Sequence, residues 1–165
     1  MTRSTDVFHA KILIVDDQQS NLRLLEYVLR RAGYVAVSST SDPLEVCALH
    51  RQNRYDLILL DLQMPRMNGF EVLEALGNVE GEEKVPVLML TADPSQMVRA
   101  LEAGAGCFLA KPFVLSEVLL RVRIMLEKTE SPAIEEPALL VARQVAAASS
   151  SEATPIEACG IAVHG

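Results

Sequence analysis

The 165-residue sequence has few cysteines and no long apolar run, and each shortage excludes a class of protein. Its three cysteines, Cys47, Cys107 and Cys159, are an odd number without metal-ligand spacing, which argues against a disulfide scaffold or a cysteine-based metal site. The amino terminus MTRSTDVFHA lacks the apolar core of a signal peptide, and no uninterrupted apolar run reaches about 18 residues. We therefore expect a cytoplasmic protein that neither spans nor binds a membrane.

Positive charge is also scarce in this chain. The sequence has 15 Lys and Arg against 22 Asp and Glu, which gives a net charge of −7 and a pI near 5.0. The basic residues are scattered, so no basic face is available to release counterions from nucleic acid or an anionic membrane. Half of the residues are hydrophobic, which suits about one domain with a substantial core. The composition therefore indicates an acidic single-domain protein that does not bind nucleic acid.

Short apolar runs alternate with segments of helical spacing along the chain. Runs without polar alternation are typical of strands covered on both faces, as in a parallel sheet. Strand and helix alternate about five times, which predicts an α/β fold. We expect a flavodoxin-like, doubly wound, five-stranded parallel sheet with strand order 2-1-3-4-5 and helices on both faces. The predicted strands are residues 12–15, 35–37, 57–60, 87–90 and 107–110.

The helices between these runs carry recognisable start and stop signals. The first has an apolar residue every three to four positions and ends before Gly33, and the last spans about residues 114–128. Two others begin with Asp-Pro, at residues 42–43 and 93–94, with Asp at the N-cap and Pro in the first turn. Gln96 has the spacing of a capping-box partner for the second of them.

Composition divides the chain into three parts. Residues 1–9 form an N-terminal extension, and residues 10–128 contain the whole strand and helix pattern. Residues 129–165 are rich in Ala, Ser, Pro and Glu, contain no aromatic residue and carry one basic side chain, Arg143. We expect this tail to be mostly disordered, apart from a candidate helix near residues 137–148.

Polar residues follow four of the predicted strands at their carboxyl ends. They are Asp16 and Asp17 after the first, Asp61 after the third, Thr91 after the fourth and Lys111 after the fifth. Each alone has an ordinary explanation, since a single Asp at a strand end is usually a helix cap or a solvated loop residue. In an open α/β sheet, however, ligands bind beyond the carboxyl ends of the strands, where the strand order reverses. The coincidence of all five therefore favours a functional site.

Three carboxylates at one sheet edge require a nearby cation. Adjacent Asp16 and Asp17 would repel each other by roughly 4 kcal/mol at about 4 Å and an effective dielectric of about 20. Oxygen ligands of high negative charge select a hard divalent cation, and Mg²⁺ typically takes one or two carboxylates. A carboxylate beside Mg²⁺ can also attack phosphorus and form an aspartyl phosphate. The metal, Lys111 and Thr91 would then supply positive charge and hydrogen bonds to the phosphoryl group.

On these residues, the sequence resembles the receiver domains of two-component response regulators. The resemblance covers roughly residues 10–128 and is carried by VDD after the first strand, DLQMPRMNG after the third, TA after the fourth and GAGCFLAKPF around the fifth. Each motif alone is weak, whereas together with the βα order they are highly specific. The resemblance implies Mg²⁺-dependent phosphorylation by a histidine kinase or phosphotransfer protein, followed by binding of an unknown downstream protein.

The resemblance also implies a phosphoacceptor and its metal ligands. Asp61 corresponds to the phosphoacceptor. Asp16 and Asp17 correspond to the acidic pair that binds Mg²⁺ together with Asp61, with Asp17 as a direct ligand and Asp16 acting through water. Gln63 would add its backbone carbonyl to the metal, and its position tunes the rate of dephosphorylation in the family.

Switching residues are implied in the same way. Thr91 resembles the switch hydroxyl that moves to bind the phosphoryl group. Phe108 stands where the family has its aromatic switch residue, and the alternative explanation is an ordinary aromatic side chain of the core. Lys111 resembles the lysine that pairs with the phosphoryl oxygens, and in the family the bond to the following Pro112 is cis. Sequence alone gives such a bond only about a 5–6% chance of being cis.

Other functions stay open at this point. An aspartate-nucleophile phosphohydrolase usually needs a second acid two residues after the nucleophile, where this chain has Gln63, and a cap domain is missing. The helix VLSEVLLRVRIMLEK is also similar to receivers that regulate a cyclic-dinucleotide enzyme or belong to a hybrid kinase. An FMN protein is disfavoured because the first strand ends in carboxylates instead of a phosphate-binding loop. We expect a stand-alone receiver without enzymatic activity, as a monomer or weak dimer.

Overall fold

The computed structural model describes residues 6–78 and 84–128 of the chain. Its five strands are β1 (Lys11–Val15), β2 (Ala36–Thr40), β3 (Leu57–Asp61), β4 (Val87–Thr91) and β5 (Cys107–Ala110). Its five α-helices are α1 (Gln19–Arg31), α2 (Val46–Asn53), α3 (Gly69–Gly77), α4 (Met97–Glu102) and α5 (Leu115–Lys128). Short 3-10 turns span Val7–His9, Pro43–Glu45 and Pro94–Gln96. No helix of the described residues is long and apolar enough to cross a bilayer.

The strands form one parallel sheet in the order β2-β1-β3-β4-β5, which confirms the predicted strand order. Successive residues of a strand point to opposite faces of the sheet, so each strand contributes to two cores. On one face Ile12 and Ile14 of β1 pack with buried residues of α1 and α5. On the other, Leu13 and Val15 pack with buried residues of α2, α3 and α4. The central strands are therefore buried on both sides, as their uninterrupted apolar sequences predict.

The edge strand β2 differs from the expectation for residues 35–37. Val35 precedes the strand and is 60% exposed, and the strand continues through the polar residues Ser38, Ser39 and Thr40. Only β1 pairs with β2, so one side of this strand is left without a neighbour in the sheet. Polar residues are tolerated at such an edge. The prediction from apolar residues alone therefore gave a strand that was too short.

The helix starts also differ in detail from the prediction. Asp42 and Asp93 do act as N-caps, but each caps a 3-10 turn that precedes the α-helix. The predicted capping box at Gln96 is wrong, because its side-chain amide donates to the Asp93 carboxylate at 3.3 Å instead of accepting the Asp93 backbone N–H. The Asp93 N–H donates to the Thr91 hydroxyl oxygen at 3.0 Å. The helix end at Gly33 is as predicted, since this residue has a φ of 104°.

All of these elements lie in the unit Met1–Glu135. The predicted tail at residues 129–165, with its candidate helix near 137–148, lies outside the described residues and remains a prediction. The boundaries at residues 9 and 128 likewise remain predictions.

Candidate functional site

Three carboxylates converge at the carboxyl edge of the sheet. Asp16 and Asp17 follow β1, and Asp61 ends the neighbouring strand β3. One oxygen from each of the three lies within 4.8 Å of the others. Asp16 is fully buried and Asp61 is 3% exposed, so water screens their charges poorly. The pairing of β1 with β3 is thus what collects residues far apart in sequence into one acidic cluster.

A single lysine bridges two of these carboxylates. Lys111 follows β5, and its Nζ lies 3.1 Å from Asp16 Oδ2 and 3.0 Å from Asp61 Oδ1. The backbone N–H of Lys111 donates to the Thr91 carbonyl at 2.7 Å, which continues the pairing of β4 with β5 beyond Ala110. The side chain therefore reaches β3 and β1 from the far side of β4. One ammonium faces three carboxylates.

Two further donors hold Asp16 in place. The backbone N–H of Gln18 donates to Asp16 Oδ1 at 2.8 Å, and the side-chain amide of Asn21 donates to Asp16 Oδ2 at 3.0 Å. With Lys111, the buried Asp16 carboxylate accepts three hydrogen bonds. Sequence reasoning missed Gln18 and Asn21. The signal that would have found Asn21 is its place as the third residue of the helix that directly follows the acidic pair.

Asp17 has a different environment from its neighbour. Its Oδ1 atom is buried and makes no hydrogen bond within the protein. A buried carboxylate oxygen without a donor is costly, and a cation is the partner that would relieve it. The cluster offers only oxygen ligands with high negative charge, which suits Mg²⁺ better than a softer metal. The residues present therefore fit a magnesium ion.

Burial and charge shift the pKa values of Asp61 and Lys111. Burial, and to a smaller extent the Asp16 charge, raise the pKa of Asp61, although the Lys111 ammonium and the Gln63 N–H favour its ionised form. Burial lowers the pKa of Lys111, but its bonds to Asp61 and Asp16 outweigh this and leave the pKa above the usual value. Lys111 is thus held as a cation, whereas Asp61 still lacks full compensation.

Thr91 ends β4 at the same edge and is fully buried. It stands one residue beyond Leu90, the partner of Asp61 in the pairing of β3 with β4. Its Oγ1 accepts the Asp93 N–H at 3.0 Å, which leaves the hydroxyl hydrogen to be donated elsewhere. Thr40 at the end of β2 accepts the Asp42 N–H in the same way, but its hydroxyl also donates to Glu45 at 3.1 Å.

The loop after Asp61 is held tightly under the site. The Leu62 N–H donates to the Leu90 carbonyl at 2.8 Å, and the Gly69 N–H donates to the Leu62 carbonyl at 2.9 Å. A Cβ atom at Gly69 would lie 2.7 Å from the Asp61 carbonyl oxygen, so only glycine fits there. Asn68 caps α3 through a capping box that the sequence analysis did not identify. This close approach fixes the backbone that carries Asp61.

The remaining predicted residues lie around the fifth strand and the loop. Phe108 is 3% exposed and packs in the core on the face covered by α2, α3 and α4, in register with Met89. The peptide bond between Lys111 and Pro112 is cis. Gln63 is exposed two residues after Asp61. The structure thus brings the three carboxylates within 4.8 Å of one another, bonds Lys111 to Asp16 and Asp61, and places Phe108 in the core.

Comparisons with known proteins agree with this geometry. A family model described as response regulator receiver domain matches residues 12–123. Transcriptional regulatory protein SrrA of Staphylococcus aureus is 37% identical over 128 residues, which make up 76% of this chain and 52% of that protein. The chain thus spans about half the length of the curated relatives it matches.

Solved structures give the same picture. Chemotaxis protein CheY4 of Vibrio cholerae matches with a TM-score of 0.65 and 33% identity, over 71% of this chain and 98% of that one. The receiver domain of sensor histidine kinase PA1611 from Pseudomonas aeruginosa PAO1 matches with a TM-score of 0.65 and 30% identity, over 72% of this chain and 98% of that one. In that receiver domain a magnesium ion is coordinated in the active site cleft.

Proposed function

The chain belongs to the family of response regulator receiver domains in two-component systems, and on this premise we propose that it accepts a phosphoryl group on Asp61. The donor is a histidine kinase or a phosphotransfer protein. The observation that carries the proposal is the Lys111 ammonium, which lies 3.0 Å from Asp61 Oδ1 beside the buried, unpartnered oxygen of Asp17. A nucleophilic carboxylate, a fixed cation and a free acidic ligand together suit phosphoryl transfer.

Asp61 acts as the nucleophile in this reaction. One carboxylate oxygen forms a bond to phosphorus while the bond from phosphorus to the donor's nitrogen or oxygen breaks, and the electron pair leaves with the donor group. The raised pKa of Asp61, caused mainly by burial, marks a carboxylate whose charge is poorly compensated. Such a group attacks more readily than one saturated with hydrogen bonds. Lys111 keeps its proton throughout and pairs with the phosphoryl oxygens.

Magnesium is the cofactor that this site fits. We assign it to Asp17, Asp16, Asp61 and the backbone carbonyl of Gln63. When bound, the ion neutralises part of the acidic cluster and of the phosphoryl charge, which allows an anionic donor to approach. The unpartnered Asp17 oxygen supports its role as a direct ligand. Asp16, whose oxygens already accept three hydrogen bonds, suits the predicted contact through water.

Thr91 and Phe108 are proposed to transmit the change. A phosphoryl group adds close to two negative charges and three acceptor oxygens at the sheet edge. Thr91 retains a hydroxyl hydrogen that can be donated to one of these oxygens. Its movement would open space beside β5, which the Phe108 ring would fill, and the α4, β5 and α5 surface would change for a downstream protein. Charged residues on that surface include Arg99 and Glu102, which are exposed, and Arg121, which is half-buried against Glu117 and Cys107.

We propose a regulatory role for this receiver downstream of phosphorylation. SrrA is named a transcriptional regulatory protein, and this chain spans about half of it, so the absence of nucleic-acid binding stays a prediction. A cytoplasmic location, a state of monomer or weak dimer and the lack of enzymatic activity also stay predictions. The family supports a regulatory receiver over an enzyme.

Incubation with acetyl phosphate and Mg²⁺ tests the function. We expect one acid-stable, base-labile phosphoryl group on Asp61 of the wild type and none on Asp61→Ala. The adduct should accumulate, because a receiver stores the group. Steady release of phosphate without an adduct would instead support the phosphohydrolase alternative, and undiminished labelling of Asp61→Ala would remove Asp61 from the reaction.

A further inference from the structure

Asp16 depends on its hydrogen bonds more than any other carboxylate of the described cluster. It is fully buried, and its Oδ2 accepts two donors at once, the Asn21 amide at 3.0 Å and the Lys111 ammonium at 3.1 Å. An ionised carboxylate only accepts hydrogen bonds, so the Asn21 side chain must present its NH₂ group. A buried charge that loses its donors is strongly destabilised.

Lys111 cannot serve both carboxylates throughout phosphoryl transfer. The ammonium that holds Asp16 also lies 3.0 Å from Oδ1 of Asp61, the carboxylate proposed to attack phosphorus. Once phosphorus is bonded to Asp61, the strongest nearby acceptors are phosphoryl oxygens carrying close to two negative charges. The ammonium then turns toward them and weakens its bond to Asp16. Among the protein groups that contact Asp16 Oδ2, Asn21 is then the donor that stays in place.

The geometry points to Asn21 as a positioning residue for phosphoryl transfer, because its amide keeps Asp16 hydrogen-bonded while Lys111 turns to the phosphoryl group. This inference rests on the proposed function. Asn21 acts through Asp16 and is not itself a catalytic residue. Its own position is fixed by α1, in which the neighbouring Leu22 and Leu25 are buried in the core.

A purely structural role of Asn21 and a positioning role in phosphoryl transfer predict different results for its substitution. Asn21 is half-buried near the start of α1, and leucine has nearly the same size, so Asn21→Leu should leave the fold intact. While Lys111 still holds Asp16, the ground state loses one of three donors. The substitution should therefore mainly destabilise the state in which Asp61 carries the phosphoryl group and Lys111 has turned away from Asp16. It should affect magnesium binding much less.

The test compares Asn21→Leu with wild type in three measurements. We expect the phosphorylation rate at saturating Mg²⁺ with acetyl phosphate to fall roughly tenfold, and the affinity for beryllofluoride, a stable mimic of the phosphoryl group, to fall by a similar factor. The Mg²⁺ concentration for half-saturation should change by less than about threefold. Asn21→Gln, which retains an NH₂ group, should recover most of the loss. Gln19→Leu, an exposed change on the same helix turn, is the matched control and should behave as wild type.

Three outcomes would overturn the inference. They are wild-type phosphorylation and beryllofluoride affinity in Asn21→Leu, a loss of magnesium affinity as large as the loss of rate, and failure of Asn21→Gln to recover activity. If Asn21→Leu does not fold, Asn21→Ala carries the same expectation. Failure of the proposed function is recognised separately, because wild type would then not be labelled at Asp61.

Discussion

At the scale of single residues, the balance of charge decides what the site can do. At an effective dielectric of about 20, each contact of Lys111 with Asp16 or Asp61 is worth about 5 kcal/mol. Each repulsion among the three carboxylates, whose oxygens lie within 4.8 Å of one another, costs at least about 3 kcal/mol. The energies of the two attractions and the three repulsions nearly cancel, so these charges give the cluster almost no net electrostatic stabilisation. The cluster therefore gains stability when a cation binds or when one carboxylate is neutralised.

This balance predicts the behaviour of Asp17→Asn. The substitution removes one ligand charge, so Mg²⁺ affinity should fall roughly tenfold or more. The same change relieves repulsion with Asp16 and Asp61, so the melting temperature without metal should stay level or rise. Titration with Mg²⁺ and thermal unfolding in EDTA measure the two effects. Glu74→Gln, an exposed change of the same net charge on α3, is the control, and wild-type Mg²⁺ affinity in Asp17→Asn would contradict the assignment.

A second prediction at this scale concerns Thr91→Ala. The carboxylates and Lys111 are untouched, so the variant should still accept phosphate on Asp61. The variant lacks the hydroxyl that is proposed to donate a hydrogen bond to the phosphoryl group. Most of the NMR shift change around Phe108 on phosphorylation should therefore be lost. Thr40→Ala is the matched control, because Thr40 has the same hydroxyl contact at the end of β2 and should keep the full change. Changes of wild-type size in Thr91→Ala would leave Lys111 or the metal site to carry the signal.

At the scale of elements, the strand-to-helix turns position the chemistry. The turns after β2 and β4 share the pattern Thr-x-Asp-Pro, and in both the Thr oxygen accepts the Asp N–H. They differ at the second residue after the proline, since Glu45 accepts the Thr40 hydroxyl whereas Gln96 bonds to Asp93. The hydroxyl of Thr91 therefore keeps a hydrogen for a ligand. A local pattern in the sequence predicts both turns, but it does not predict this difference.

Gly69 gives a prediction at the same scale. A Cβ there would lie 2.7 Å from the Asp61 carbonyl oxygen and 2.9 Å from Leu62 Cα, and both are backbone atoms that cannot turn aside. Gly69→Ala should therefore lower the free energy of unfolding by about 1–3 kcal/mol and slow phosphorylation by displacing Asp61. Chemical denaturation and acetyl phosphate labelling measure these effects. Gly77→Ala on the same helix meets nothing within 4 Å and should be neutral or slightly stabilising; equal behaviour of the two variants would refute the steric argument.

At the scale of the whole molecule, the doubly wound sheet turns five separate strand ends into one edge. Both cores of this sheet are closed by helices within the described residues, and α5 contributes Val118 and Val122 to the face shared with α1. The described part therefore holds a core on each face of the sheet. We expect from this that folding does not require residues 129–165.

Truncation tests that conclusion. A chain that ends at Lys128 should unfold cooperatively at nearly the wild-type temperature and accept phosphate at the wild-type rate. Calorimetry and acetyl phosphate labelling of the truncated and full-length chains make the comparison. Loss of cooperative unfolding would show that residues 129–165 contribute to the folded domain.

The sequence by itself determined the alternation of strand and helix, the two-sided burial of the central strands and the polar residues at the carboxyl ends of four strands. These follow from hydrophobic pattern and from residue type, which are local properties of the chain. Only the tertiary structure decided that Lys111 contacts Asp16, a residue 95 positions away, that Asn21 shares the same oxygen, and that Asp17 is left without a donor. Such contacts depend on the pairing of β1 with β3 and on side-chain reach across β4, which are not local properties of the sequence. For the same reason the capping box at Gln96 was predicted wrongly, because the Asp93 N–H that it requires is donated to Thr91, and the Gln96 amide bonds to the Asp93 carboxylate.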